Sequence, residues 1–178
     1  MEMKNKYILT DETIEVEEKV LYRIKAIKDF GNVKEGEIGG FVESEKNLSH
    51  RGNCWVSDNA KVSDNAKVSD NARVCGNAEV YGHADVYGDA RVYGDAKVFA
   101  NSKVFGKGWV SGKAWVSDNA KVYDEAEISG NARVYGNARV YGNVRIFGDA
   151  LVYDDAKVFA NAEVFGNDKV SGKAEISE

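Results

Sequence analysis

From Val56 to Ile176 an aliphatic residue recurs at every sixth position without a slip, through Val62, Val68 and Val74 and on to Val164 and Val170. Two positions before nearly every one sits a small side chain, such as Ala60, Ala66, Ala72, Ala78 or Ala84. Ser63-Asp64-Asn65-Ala66-Lys67-Val68 and Tyr135-Gly136-Asn137-Ala138-Arg139-Val140 are typical units. An unbroken period this short marks a solenoid, in which each unit buries its apolar face only by stacking on its neighbours.

Each hexad has a physical reading. In Ala-Lys-Val-Tyr, Ala and Val share one face and Lys and Tyr the other, which is the alternation of a short half-buried strand. The Gly-Asn or Asp-Asn that follows is turn chemistry, because Gly and Asn tolerate positive φ and Asp can bond its own backbone. Three strands and three corners close a coil, so the expected architecture is all-β: a triangular parallel β-helix of about seven coils. With strands stacked about 4.8 Å apart it is roughly 30–35 Å long.

The unit resembles the hexapeptide repeat of left-handed β-helices, a fold shared by bacterial acyltransferases and many non-enzymatic relatives. Left-handedness is what that resemblance implies; the spacing alone does not give it. Leu21–Val56 carries a narrower resemblance, in Asp29-Phe30-Gly31-Asn32-Val33-Lys34-Glu35-Gly36, Gly39-Gly40-Phe41-Val42, Leu48-Ser49 and Gly52-Asn53-Cys54-Trp55-Val56. These residues resemble the entry segment of the YdcK-like family, found in bacteria and their phages.

Residues 1–53 do not repeat and are expected to form a small N-terminal β cap on the array of residues 54–178, because an open first coil would recruit other strands. Tyr7–Leu9 and Thr13–Val16 read as strands around a turn at Asp11-Glu12, and Leu21–Ile27 as a longer strand. The absence of proline and the 18 glycines among 178 residues suit regular corners. Neither a signal peptide nor a membrane-spanning run is visible, and two cysteines make no disulfide framework, so a cytoplasmic protein with reduced thiols is expected. Cys54 takes an inward position and Cys75 an outward one. A net charge of −5 argues against general nucleic-acid binding.

Catalytic and metal chemistry finds little support. His83 replaces a corner Asn and His50 lies between cap and array; either could serve as a general base, and either could be a turn or cap residue. Zinc chemistry of the carbonic-anhydrase kind needs three histidines, and the chain has two. Asp58, Asp64 and Asp70 fall on different sides, so they form no calcium ladder. The corner stack Asn101, Asn119 and Asn137 reads as structural. No metal or cofactor is expected.

The outward residues are more informative. One side carries Tyr87, Phe105, Tyr123, Tyr141 and Phe159 in a single column, beside Asp85, Lys103, Lys121, Arg139 and Lys157; the other sides are interrupted by Ser111, Ser117 and Ser129. In Phe105-Gly106-Lys107-Gly108-Trp109-Val110-Ser111-Gly112-Lys113-Ala114-Trp115, lysine twice replaces a corner Asn or Asp, and tryptophan twice points outward. Lys103, Phe105, Lys107, Trp109, Lys113, Trp115, Tyr123 and Tyr141 are therefore the candidate protein-binding residues.

The expected function is a non-enzymatic interaction module. The YdcK-like resemblance extends this to a phage- or prophage-encoded inhibitor of a host defence or other host protein, and the alternative is a hexapeptide acyltransferase-like enzyme. A closed homodimer is also expected, through the aromatic side or through the last coil, with Asp168 and Glu178 limiting open-ended growth.

Overall fold

The small–polar–aliphatic triplets settle as two-residue strands, and residues eighteen apart pair in parallel: Lys103 with Lys121, Val104 with Val122. In this computed structural model, which describes residues 5–177, the strands build three sheets around one column of side chains. The first side holds Val62, Val80, Val98, Val116, Val134, Val152 and Val170. The second holds Val68, Val86, Val104, Val122, Val140, Val158 and Ile176; the third holds Val56, Val74, Val92, Val110, Ile128, Ile146 and Val164. Amides donate to the coil that follows, as Lys61 does to the Ala78 carbonyl at 2.9 Å and Ser63 to Val80 at 3.0 Å.

The core is this aliphatic column with its alanines. Val74, Val92, Val110 and Val122 are fully buried, as are Ala78, Ala96 and Ala126. Burial of one such valine is worth about 1.5–3 kcal/mol. Val164 and Val170 remain buried, while Ile176 is exposed in the last coil. Asp168 is also exposed there, and Glu178 lies outside the described residues.

The corners hold by a different bond from the one the residue types suggest. Between the first and second sides, Asp64, Gly82, Ala100, Asp118, Gly136, Asp154 and Gly172 all adopt φ between 56° and 72°. The aspartates do not fold back onto their own backbone. Asp64 Oδ2 accepts the Gly82 amide at 3.0 Å, and Asp118 and Asp154 accept those of Gly136 and Gly172. One position further on, side-chain amides run down the corners: Asn119 Nδ2 donates to Asn137, and Asn137 to Asp155. Ala100 has neither glycine's freedom nor a carboxylate to bond the next coil. Substituting Ala100→Gly is expected to stabilise the protein by about 0.5–1 kcal/mol, since a left-handed non-glycine residue costs about 1–2 kcal/mol and glycine's extra unfolded-state entropy offsets part of that. A shift of the urea midpoint to higher concentration checks this; a shift to lower concentration rejects it.

The entry segment differs from expectation in two places. Tyr7–Val16 is one strand, β1, not two strands around a turn; Asp11-Glu12 lies where the register to β2 (Lys19–Ala26) shifts between Leu9 and Thr13. The chain reverses instead at Glu17 and Glu18, both at positive φ (48° and 65°), the geometry that matches the twist of a two-residue hairpin. Next, β3 (Ile38–Val42) pairs antiparallel with β2 on one edge and parallel with Lys61-Val62 on the other. Leu48 likewise bridges Val68 in parallel. Parallel stacking thus begins upstream of Cys54, and the solenoid has about eight turns where the hexad count suggests seven. The inner end of the first turn is covered by Tyr7, Ile24 and Trp55, all buried, with the Tyr7 hydroxyl donating to the Leu48 carbonyl at 2.8 Å.

Candidate interaction surface

On the second side every strand points one residue before its valine, and one after it, outward. The later column runs Ser69, Tyr87, Phe105, Tyr123, Tyr141, Phe159, Ser177. Its five rings stack continuously, with centroids 4.8–5.4 Å apart and planes within 9° of parallel. Each contact of this kind contributes about 0.5–1.5 kcal/mol beyond its buried area, so part of the ladder's role is to stiffen the array. The ring faces cover one another; edges and the tyrosine hydroxyls are left to meet another molecule.

The earlier column reads Lys67, Asp85, Lys103, Lys121, Arg139, Lys157, Glu175. Two of its lysines are paired within the molecule: Lys103 Nζ lies 3.2 Å from Asp85, and Lys157 Nζ 2.6 Å from Glu175. Among the described residues no carboxylate lies within ion-pair distance of Lys67, Lys121 or Arg139, and all three are exposed; Lys67 stands beside Ser69, outside the aromatic row. The result is two open cations beside Tyr123 and Tyr141, at the middle of an uninterrupted aromatic row.

The tryptophans lie elsewhere. Trp109 is on the third side and Trp115 on the first. Each leans into a gap that serine leaves in a shorter ring stack: Trp109 meets Tyr93 (5.2 Å) and Trp115 meets Phe99 (6.1 Å). Arg91 and Arg133 lie over the two indoles at 5.9 and 4.5 Å. Ser111 and Ser117 are buried as a consequence, yet each indole keeps 37% of its surface exposed. Other interrupted columns also stack locally, as Tyr135 does on Tyr153 and Phe147 on Phe165. Lys107, at the edge between the second and third sides, is held 2.6 Å from Glu125 of the next coil. Lys113 sits on the following edge. Lys103, Phe105, Tyr123 and Tyr141 therefore share one flat side; Lys107 and Trp109 lie just around its edge; Lys113 and Trp115 face away. A flat partner cannot touch all eight.

The histidines are far apart in role. The His50 ring stacks on Tyr7 (4.3 Å), its Nδ1 accepts the Lys6 amide, and its Nε2 is buried without a partner. Burial holds its pKa below the ordinary histidine value. His83 is an exposed corner residue whose amide donates to Ala100. Among the described residues no cluster of three or more His, Cys, Asp or Glu side chains is placed to hold a metal, and no helix is long and apolar enough to cross a membrane. Cys75 is half-buried and Cys54 fully buried.

One group escapes sequence reasoning. Lys6 stands in a polar leader, yet it is 1% exposed, with its Nζ donating to the carbonyls of Cys54 (2.8 Å) and Gly52 (3.3 Å) and to Cys54 Sγ (3.2 Å). Its acceptors come from more than forty residues away, so no local pattern announces them.

The repeat itself matches a known family model. The YdcK β-solenoid repeat is matched in three overlapping registers, over residues 126–142, 132–145 and 138–154. The chain is a parallel β-solenoid whose repeat, over this stretch, is similar to that of the YdcK family. The matched YdcK registers contain Arg139 and Tyr141, so one half of the open cationic pair lies on a stretch that itself carries the family signal. No curated protein matches the chain.

Proposed function

We propose that this YdcK-like solenoid is a non-enzymatic binding protein whose second side takes an acidic surface of another protein, centred on Lys121, Tyr123, Arg139 and Tyr141. The observation that carries the reading is the pair of cations left open inside a rigid aromatic row whose other cations are already ion-paired. Exposed charges without internal partners steer association and set register, and adjacent rings supply apolar contact. In the bacterial or phage setting that the family resemblance implies, the partner is a cytoplasmic host protein, and covering a defence factor or another host component is the corresponding activity. Neither nucleic acid nor membrane is part of this reading.

The experiment is affinity capture from the native host with wild type, Lys121→Glu/Arg139→Glu and Trp109→Ala/Trp115→Ala, followed by binding measurements on the purified captured protein. The charge-reversed protein is expected to lose the partner and the tryptophan variant to retain it. Equal binding by wild type and the charge-reversed protein rejects the reading. A His50→Ala/His83→Ala protein is expected to fold and to keep full binding. Acyl-donor turnover by wild type that this variant lacks would establish the enzymatic alternative.

The same side also suits a weaker homodimer. If two copies pack with their axes antiparallel, Asp85 meets Lys157 and Lys67 meets Glu175 at both ends of the row, although Lys103 then meets Arg139 and Lys121 its own copy. Light scattering at tens of micromolar should give twice the chain mass for wild type and less for Tyr123→Lys/Tyr141→Lys. Loss of the dimer in Ile176→Lys alone would move the contact to the last coil.

A further inference from the structure

The Lys6–Cys54 contact takes no part in the binding surface, and its chemistry is specific. Two reactive side chains, an amine 1% exposed and a thiol 0% exposed, lie 3.2 Å apart with nothing between them. Carbonyls of Gly52 and Cys54 orient the amine from one side, and the Phe30 ring lies 4.8 Å from it. The sulfur is one layer below the surface: Arg51, Gly52 and Asn53 above it are exposed, and the thiol faces the Ser49 and Arg51 carbonyls at 3.4 and 3.7 Å.

We propose that Cys54 and Lys6 form a peroxide-dependent covalent tie, a sulfenamide between Sγ and Nζ. In the first step Cys54, whose thiol pKa is pushed up by burial, passes its proton to the adjacent Lys6 amine, and the thiolate attacks hydrogen peroxide. An S–O bond forms, the O–O bond breaks, and the departing hydroxide takes that proton back from Lys6 and leaves as one water. The sulfur, now a sulfenic acid, is oxidised by two electrons. In the second step the Lys6 amine, in its neutral form, attacks that sulfur; the N–S bond forms, the S–O bond breaks, and hydroxide leaves with an amine proton as a second water. The chain loses two hydrogens in total, and peroxide is reduced to two waters. Burial favours the neutral amine that this step needs, holding Lys6 below the usual lysine range. The bond joins the residue just before β1 to the residue that opens the hexad array, so it locks the covering of the first coil. A thiol reductant reopens it.

Cys75 is the internal control. It is half-buried on the third side, and among the described residues no amine is hydrogen-bonded to it. The experiment exposes wild type, Cys75→Ser and Lys6→Arg to hydrogen peroxide, with and without dimedone, a trap for sulfenic acid, and follows peptide masses and thermal melting. In wild type and Cys75→Ser a Lys6–Cys54 cross-linked species about 2 Da lighter than the two parent peptides is expected, reversed by dithiothreitol. Melting of the oxidised protein should rise by about 4 °C or more. In Lys6→Arg the guanidinium cannot close the bond, and dimedone should label Cys54. Two results overturn the proposal: a Cys54 in wild type that dimedone labels as strongly as in Lys6→Arg, or one that stays a free thiol while Cys75 is oxidised. The wild-type peptide mass decides the question even if Lys6→Arg does not fold.

Discussion

Val122→Asp is expected to destabilise the solenoid by at least about 4 kcal/mol and to abolish cooperative folding of the neighbouring coils. Val122 is fully buried at the centre of the second side, paired between Val104 and Val140. A carboxyl group there finds only aliphatic carbon and strand backbone already engaged in the ladder, so it stays unpaired in either protonation state. Against a total stability of about 5–15 kcal/mol for a domain of ordinary size, one such substitution is decisive. Lys121→Asp, on the same strand but pointing outward, should cost about 0.5 kcal/mol or less. Urea unfolding followed by circular dichroism compares the two; comparable losses would mean the strand does not face inward as described.

The largest expected functional effect is that of Lys121→Glu/Arg139→Glu, which should weaken partner binding by a hundredfold or more while leaving the fold intact. Each reversal replaces an attraction by a repulsion at the centre of the contact, and losing one buried charge contact costs about 2–5 kcal/mol. Lys103→Glu should do less. Lys103 is already committed to Asp85, so a partner gains less from it than from the two open cations. A ranking in which Lys103→Glu exceeds the double reversal would shift the contact toward the cap end of the ladder.

The array was legible because its forces are local and periodic. Six-residue spacing sets which side chains face inward, and eighteen-residue steps set which rings stack, so the row from Tyr87 to Phe159 follows from the spacing alone. What lay beyond the sequence depends on contacts between distant segments. Glu17 and Glu18 are unusual residues for a left-handed two-residue turn, and the hairpin exists because Lys19–Ala26 pairs with both β1 and β3. Leu48 and Val56 stand eight residues apart, two more than the period, so the first turn was hidden behind the looped-out residues before Cys54. That same loop shows that a corner absorbs extra residues, which makes a buried charge a sharper probe of the core than an insertion. The tryptophans misled in part for the same kind of reason. Their outward direction followed from the hexad, but their packing into the gaps over Ser111 and Ser117 needed the neighbouring coils.

The central claim is that the second side, and no other, is where this solenoid meets its partner. A photoreactive phenylalanine derivative placed at Tyr123, Tyr141, Tyr153 or Phe165 in the producing cell tests it most directly, since these positions sample all three sides in the same outward geometry. Irradiation should give one discrete adduct from positions 123 and 141, with a mass that identifies either a foreign protein or a second copy, and none from 153 or 165. An adduct from position 153 or 165, with none from 123 and 141, would contradict the account.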